Sequence, residues 1–339
     1  MKIAYVTPYQ GEGEIVHELF PEHEVLFVDE PIHTDVPEGA RDADVLSVFV
    51  DSTVTAEMID SMPNLKVLAL RSTGFDHVDV SHATGKGIVV SNVPHYGSQT
   101  VAEYAFGLML TLSRRIYSSY DLLRREGMVD VPRCEGFDLC GKTLGVVGTG
   151  AIGRRVCEIA RGFRMRVIAF DLYPNDDLAK ELGIEYRAYD EVLEEADIVT
   201  FHVPATDENH HMLHGENIAR MKPGACVINT ARGSLIDTIA LVHAIKRGHL
   251  GGAGLDVFEG EQYIKDEMQL LMPGGEKIEP PVWRAFVADH ELIDHERVIV
   301  TPHLAFNTKE AKREITETTA QNITAALAGD PQHALEGVF

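Results

Sequence analysis

The chain is predicted to be an α/β protein made of two doubly wound units, each built on a parallel sheet. Three observations carry that prediction. Short runs rich in Val, Ile and Leu alternate with helical patterns along most of the 339 residues. These runs are continuously apolar, as strands covered by helices on both faces must be. The third is the run Thr143–Val147, which flows through Gly148-Thr-Gly150-Ala-Ile152-Gly153 into a helical pattern and so opens a second unit.

Taken in order, the first unit reads as strand Lys2–Val6, helix Glu12–Phe20, and strands Glu24–Val28 and Asp44–Val50. A helix over Thr55–Met62 and strands Lys66–Leu70 and Gly87–Ser91 follow. From Ser98 to about Glu126 there is no proline, and Val101, Ala105, Leu108, Met109 and Leu112 recur at helical spacing, which predicts one long bridging helix. After Thr143–Val147 come strands Arg166–Phe170, Ile198–Phe201, Cys226–Asn229, Gly252–Leu255 and Val298–Val300, then a terminal helix from about Thr308 to Leu327. Between Gln262 and His295, Pro273-Gly-Gly275 and Pro280-Pro281 interrupt short apolar pieces, which predicts an irregular surface excursion.

Composition narrows the function. No apolar run approaches the ~20 residues that span a bilayer, and the strand-like opening Met1-Lys-Ile-Ala-Tyr-Val6 lacks a signal-peptide layout, so a cytoplasmic protein is expected. A formal net charge of -23 opposes binding to nucleic acid or anionic membrane, which need a basic footprint. Any cation that receives an anionic substrate must then act locally, inside a pocket. Cys134, Cys140, Cys157 and Cys226 show no Cys-x-x-Cys spacing, so neither a metal site nor a redox pair is expected.

The glycine motif points to a dinucleotide. Gly148 makes the tight turn, Gly150 lets backbone approach a pyrophosphate, and Gly153 lets helix and strand pack closely. The helix N-terminus adds unpaired N–H groups and partial positive charge. Asp171 ends the next strand, where a carboxylate accepts hydrogen bonds from ribose hydroxyls and repels a 2′-phosphate. Leu172 and Tyr173 offer no cation to offset that repulsion, so NAD is expected over NADP.

Three further groups follow strand ends, where ligands collect in open α/β sheets. Arg232 lies in Asn229-Thr-Ala-Arg232-Gly233, and a guanidinium there can hold a carboxylate bidentately. Asp256, Glu259 and Glu261 follow Gly252–Leu255, and His303 follows Val298–Val300. Singly, each also reads as an ordinary surface or loop residue. Together they put an arginine, an acid and a histidine at strand termini of one dinucleotide-type unit.

These segments, with Arg71-Ser-Thr73-Gly74-Phe-Asp-His-Val-Asp79, Asn92-Val-Pro-His-Tyr96, Val101-Ala-Glu103 and His202-Val-Pro204, resemble the D-isomer-specific 2-hydroxyacid dehydrogenases over nearly the whole chain. Within that family the similarity is greatest to NAD-dependent D-lactate dehydrogenases. The resemblance implies a Rossmann-type cofactor domain, 99–302, inserted in a flavodoxin-like substrate domain made of 1–98 and 303–339. It implies that Arg232 binds the substrate carboxylate and polarises the carbonyl, that His303 is the acid/base, and that Glu261, five residues after Asp256, favours the charged imidazole. Backbone at Thr73 and Gly74 would assist the carboxylate, and Tyr96 and Phe306 would line the side-chain pocket. Val101, Ile152, Pro204, Thr206, Ala231 and Asp256 would contact the cofactor beside the glycines and Asp171.

The implied reaction is hydride exchange between NAD and a small 2-hydroxy or 2-oxo acid, D-lactate/pyruvate first and hydroxypyruvate or glyoxylate second, in a homodimer. A low-turnover NAD-sensing protein is the alternative of another class. Two departures bear on this: Gly97-Ser98 stands where relatives often have Ser-Pro, and Asp51 where some carry an aromatic or apolar pocket residue.

Overall fold

A computed structural model describes residues 1–261 and 280–335. The chain divides into two compact units, Met1–Tyr96 with Asn307–Phe339, and Gly97–Phe306.

The first unit holds strands β1 (Lys2–Val6), β2 (Glu24–Val28), β3 (Val45–Val48), β4 (Val67–Leu70) and β5 (Val89–Ser91) in the order β2-β1-β3-β4-β5. All neighbours pair in parallel, and this is the flavodoxin-like order. Helices α1 (Glu12–Leu19), α2 (Ala56–Asp60) and α3 (Val80–Gly85) connect the strands. Side chains of Thr55 and Asp79 cap α2 and α3, which is why these short helices begin where they do. The last helix of the chain, α12 (Lys309–Leu327), returns to this sheet: Ala320 and Ile323 pack with Ile3, Tyr5, Val16 and Phe20.

Beneath that helix lies a buried charge cluster. Arg71, which directly follows β4, has no exposed surface, and its guanidinium meets Glu12 at 3.2 Å. It also donates to the carbonyls of Val6 and Thr7 and lies 4.3 Å over the Tyr5 ring. Glu12 in turn accepts from Tyr5 Oη at 2.7 Å and Thr316 Oγ1 at 2.7 Å. The buried ion pair thus joins α1, the end of β4 and α12 through hydrogen bonds that offset much of the cost of removing the charges from water, with Arg71 Nε left buried without a partner among the described residues.

Among the described residues the second unit carries seven parallel strands in the order β12-β11-β10-β9-β6-β7-β8. They are β6 (Thr143–Val147), β7 (Arg166–Phe170), β8 (Glu185–Tyr186), β9 (Ile198–Phe201), β10 (Cys226–Asn229), β11 (Gly252–Leu255) and β12 (Val298–Val300). Counted from β6, this is the Rossmann order extended by one strand. Helices α6 (Ala151–Gly162), α7 (Asp176–Leu182), α8 (Tyr189–Glu195), α9 (Gly215–Ile218) and α10 (Thr238–Lys246) alternate with the strands. Every residue of β6, β9, β10 and β11 is buried, which accounts for their largely apolar character, with Thr143, Thr200 and Asn229 as the polar exceptions. The two-residue edge strand β8 has no pattern that sequence reading could detect.

Two expectations are corrected. The long helix expected over Ser98–Glu126 is two helices, α4 (Ser98–Ser113) and α5 (Ile116–Glu126). At the break the Ser113 carbonyl accepts the Phe137 N–H at 2.8 Å instead of continuing the helix, and Arg115 turns to a left-handed φ of 53°. Gly136 permits this approach, because a Cβ there would stand 2.2 Å from the Ser113 oxygen. A lack of proline permits a long helix without requiring one.

The second correction concerns Gln262–His295. Pro280 begins α11 (Pro280–Ile293) instead of interrupting structure, since proline suits the first helical turn, where N–H groups lack partners in any case. Phe286, Ala288, Asp289 and Leu292 are buried, so this helix belongs to the core of the unit and is not a surface excursion. Residues 262–279 lie outside the described residues.

Candidate active site

The register of the second sheet decides where the chemistry gathers. Val147 pairs with both Phe170 and Phe201, Phe201 with Asn229, Asn229 with Leu255, and Leu255 with Val300. Six strands therefore end in one row. Gly148, Asp171, His202, Arg232, Asp256 and His303 all emerge along the same edge, on either side of the point between β6 and β9 where strand order reverses. Ligands bind open sheets at such switch points.

The glycine turn fits a dinucleotide. Gly148 has φ 92°, and a Cβ there would stand 2.7 Å from the His202 carbonyl oxygen; a Cβ on Gly153 would stand 1.9 Å from the Gly148 oxygen. Larger residues at either place would force the turn apart. Gly150 differs, because nothing lies within 4 Å of where its Cβ would be, so the backbone faces open space. The first turn of α6 carries no acidic side chain, leaving its N–H groups available to an anion. Asp171 accepts from Thr149 N at 2.7 Å, Thr149 Oγ1 at 2.9 Å and Tyr173 N at 2.9 Å. The strand-end carboxylate is thereby tied to the glycine turn through Thr149, whose hydroxyl also meets Tyr186 Oη at 2.8 Å. Sequence reading assigned no part to Thr149 or Tyr186, since Thr149 meets Asp171 through the β6–β7 pairing and Tyr186 joins them through the β7–β8 pairing.

Beside the turn, burial pushes the His202 imidazole down to about 3, so the ring is neutral at pH 7. Its Nε2 meets Thr200 Oγ1 at 2.9 Å, and Nδ1 is buried without a hydrogen-bond partner among the described residues.

Arg232 is positioned by the residue that ends β10. Asn229 accepts the Ala231 N–H at 3.0 Å and donates to the Arg232 carbonyl at 2.8 Å. Gly233 follows in close contact with the next segment, and a Cβ there would stand 2.3 Å from the Phe258 carbonyl carbon. The arginine turn and the acidic turn after β11 are therefore packed backbone to backbone.

Asp256 is fully buried and shapes the histidine loop. Its carboxylate accepts from Thr301 Oγ1 at 2.6 Å, Leu304 N at 2.9 Å and Ala305 N at 2.8 Å, while its carbonyl accepts the His303 N–H at 2.9 Å. His303 is thereby held at a left-handed φ of 54°, a strained conformation for a non-glycine residue. Burial pushes the Asp256 carboxyl above its usual range, with the three donors and the His303 charge opposing.

The two neighbouring glutamates have different partners. Glu261 Oε1 lies 3.2 Å from His303 Nδ1, so this contact engages one ring nitrogen and Nε2 is the other. Glu259 instead meets His211 Nε2 at 2.5 Å and accepts the Thr238 N–H at 3.0 Å. His210, His211 and Glu259 are the one trio among the described residues with metal-ligand spacing. The existing bonds to Glu259 already satisfy it.

The remaining expected residues are distributed as follows. Val101 is buried in α4; Ile152, Ala231 and Phe306 are half-buried in the second unit. Pro204 and Thr206 sit on the loop after β9, where Asn209 donates to the Pro204 carbonyl and accepts the Thr206 N–H. Thr73, Gly74 and Tyr96 belong to the first unit. There Thr73 Oγ1 donates to the Val93 carbonyl at 2.9 Å, and Ser72 Oγ to the Gly74 carbonyl at 2.6 Å, so side chains shape the turn after Arg71.

A Rossmann sheet, an anion-ready glycine turn, a strand-end aspartate and a His–Glu pair define an NAD-dependent dehydrogenase. Comparison with known proteins agrees. Residues 106–305 match the family described as D-isomer specific 2-hydroxyacid dehydrogenase, NAD binding domain. The chain is 35% identical over 334 residues to D-lactate dehydrogenase of Escherichia coli, covering 97% of this chain and 98% of the relative. It is 36% identical over 311 residues to glyoxylate reductase of Korarchaeum cryptofilum, covering 90% and 86%. The crystal structure of D-lactate dehydrogenase from Aquifex aeolicus complexed with NAD and lactic acid matches with a TM-score of 0.86 at 35% identity, covering 97% of this chain and 96% of that one. The chain belongs to the D-isomer-specific 2-hydroxyacid dehydrogenase family.

Proposed function

We propose that the protein reduces pyruvate to D-lactate, and the reverse, with Arg232, His303 and Glu261 as its catalytic residues. The observation that carries this is the His303–Glu261 pair at 3.2 Å, on the sheet edge shared with Arg232 and the glycine turn. Bound NADH supplies the hydride. As negative charge builds on the carbonyl oxygen of the 2-oxo acid, His303 delivers a proton from Nε2, and the ion-paired Glu261 keeps the ring oriented. Arg232 holds the substrate carboxylate by its guanidinium fork and stabilises the developing charge. Oxidation of the hydroxy acid runs the same proton path backward from neutral His303.

On this reading Thr73, Gly74, Tyr96 and Phe306 are substrate-binding residues. Val101, Ile152, Pro204, Thr206, Ala231 and Asp256 border the cofactor. Likeness to the Korarchaeum glyoxylate reductase makes glyoxylate or hydroxypyruvate the second candidate substrate. Loss of NADH absorbance with pyruvate, glyoxylate, hydroxypyruvate and longer 2-oxo acids tests the assignment. Pyruvate is expected to have the highest kcat/KM. Arg232→Lys, which keeps charge but loses the fork, is expected to lower that value on the order of 100-fold. Wild-type efficiency in that variant would remove Arg232 from its role.

The same reading includes a cytoplasmic homodimer. No helix among the described residues is long and apolar enough to cross a membrane. Ile116, Tyr117, Tyr120 and Leu123 are exposed on α5, an apolar face that a second copy would cover. Sedimentation velocity is expected to give twice the 37.4 kDa chain mass. Replacing Tyr120 and Leu123 by Glu is expected to shift the distribution toward monomer.

A further inference from the structure

The carboxylate assigned to His303 is anchored by its own turn, and that turn is gripped by a buried acid from α11. Asp289 is 1% exposed. Its Oδ2 accepts the N–H of Gly260, the residue between Glu259 and Glu261, at 3.0 Å. A Cβ on Gly260 would stand 2.3 Å from that oxygen, so the approach depends on glycine. Glu259 is held by His211 and the Thr238 amide, and the peptide leading to Glu261 is thus pinned at consecutive residues.

Asp289 is poorly solvated for a charge. Its Oδ1 is buried with no hydrogen-bond partner among the described residues. Helix α11 packs against α10 and β12. Strand β12 has no titratable side chain; α10 carries His243 and Lys246, and Lys246 is paired with Glu291 on the surface. On its own helix Asp289 is flanked by His290, which lies edge-on to Phe286. Among the described residues, the charges that act on it are Glu259 and Glu261, both negative. Burial above all, with those two carboxylates adding to it, pushes the Asp289 carboxyl up to about 7 against the pull of the Gly260 N–H.

We propose that Asp289 is a positioning residue for Glu261, whose grip on the Gly260 amide and whose charge beside Glu261 both change with its protonation. The inference rests on the reading of Glu261 and His303 as the catalytic pair. When neutral, Asp289 accepts a hydrogen bond of ordinary strength. When ionised it binds the amide more strongly and adds a negative charge next to Glu261. The enzyme thereby gains a pH-sensitive contact that touches neither substrate nor cofactor.

Two measurements on the full chain test this. In kinetics, Asp289→Ala removes the acceptor and is expected to lower kcat about tenfold with a smaller change in KM. Asp289→Asn, which keeps shape and acceptor, is expected to recover most of that loss below pH 7 and to depart from wild type above it. In chemical denaturation, the folded wild type holds a proton between about pH 4 and 7 that the unfolded chain has released, so its stability falls as pH rises through that window. Asp289→Asn is expected to lack that fall. Parallel stability curves for the two proteins, or Asp289→Ala with wild-type turnover, would overturn the inference. Wild-type kinetics in Glu261→Gln would remove the catalytic pair and the positioning role together, while the stability curves report on Asp289 whether or not that pair holds.

Discussion

Among the described residues, each unit holds a charged side chain at 0% exposure directly after a parallel strand, Arg71 in the first and Asp256 in the second, and the two are stabilised in different ways. Arg71 after β4 has an opposite charge at 3.2 Å, two carbonyl acceptors and the Tyr5 ring. Asp256 after β11 has a hydroxyl and two backbone N–H groups within 2.9 Å. The ion pair is shared among distant elements and so holds the first unit together. The dipole-solvated carboxylate draws its donors from one short loop, and so it fixes that loop's shape. A buried charge thus serves as an anchor or as a template according to whether its partners are far apart or adjacent in sequence.

The sharpest way to break this contrast is to remove one member of the ion pair. Arg71→Leu leaves Glu12 buried and uncompensated and is expected to cost about 3–5 kcal/mol. Urea unfolding would show it as a lower midpoint; a loss under 1 kcal/mol would mean that Arg71 is no anchor. Asp256→Ala is expected to be milder for stability and severe for turnover. With Leu304 and Ala305 N–H groups released, His303 loses its left-handed geometry, and kcat should fall on the order of 100-fold while cooperative unfolding persists. Retained turnover would reduce Asp256 to a core residue.

A subtler test uses pH. Because burial raises Asp256 above the usual carboxylate range, its folded form keeps a proton that the unfolded chain loses first. Its contribution is present at low pH and is lost as pH rises from about 4 through the raised folded value. Stability of wild type relative to Asp256→Asn is therefore expected to drop over that interval. The smallest expected effect is on cofactor choice: Asp171→Ala should lower the NAD to NADP ratio of kcat/KM about tenfold, by removing repulsion of the 2′-phosphate. An unchanged ratio would place cofactor discrimination elsewhere.

How much was legible in the sequence depended on how local each interaction is. Most strands were readable because helices on both faces make them continuously apolar. The glycine turn was readable because its requirements are met within six residues. The break at Arg115 was not, since it depends on Gly136 and Phe137, more than 20 residues further on. Helix α11 was misread for a different reason: proline signals a boundary without saying which side of it the helix occupies. Glu259 and Glu261 were told apart in the sequence only through the family resemblance, because two similar side chains two residues apart face different neighbours, His211 and His303.

The amino-acid sequence by itself determined the alternation of strands and helices, the dinucleotide turn with its strand-end acid, and the residue types offered for catalysis, since each is set by local pattern and spacing. The tertiary structure alone decided which of these residues meet. Parallel register brings the ends of β6, β9, β10, β11 and β12 into one row, although Val147 and Val300 stand 153 residues apart. Hydrogen bonds across that row select Glu261 for His303, assign Glu259 to a brace and Asp256 to a loop template, and place Asp289 behind Gly260. These choices depend on distances between segments that only close packing fixes, and local preference carries no information about them.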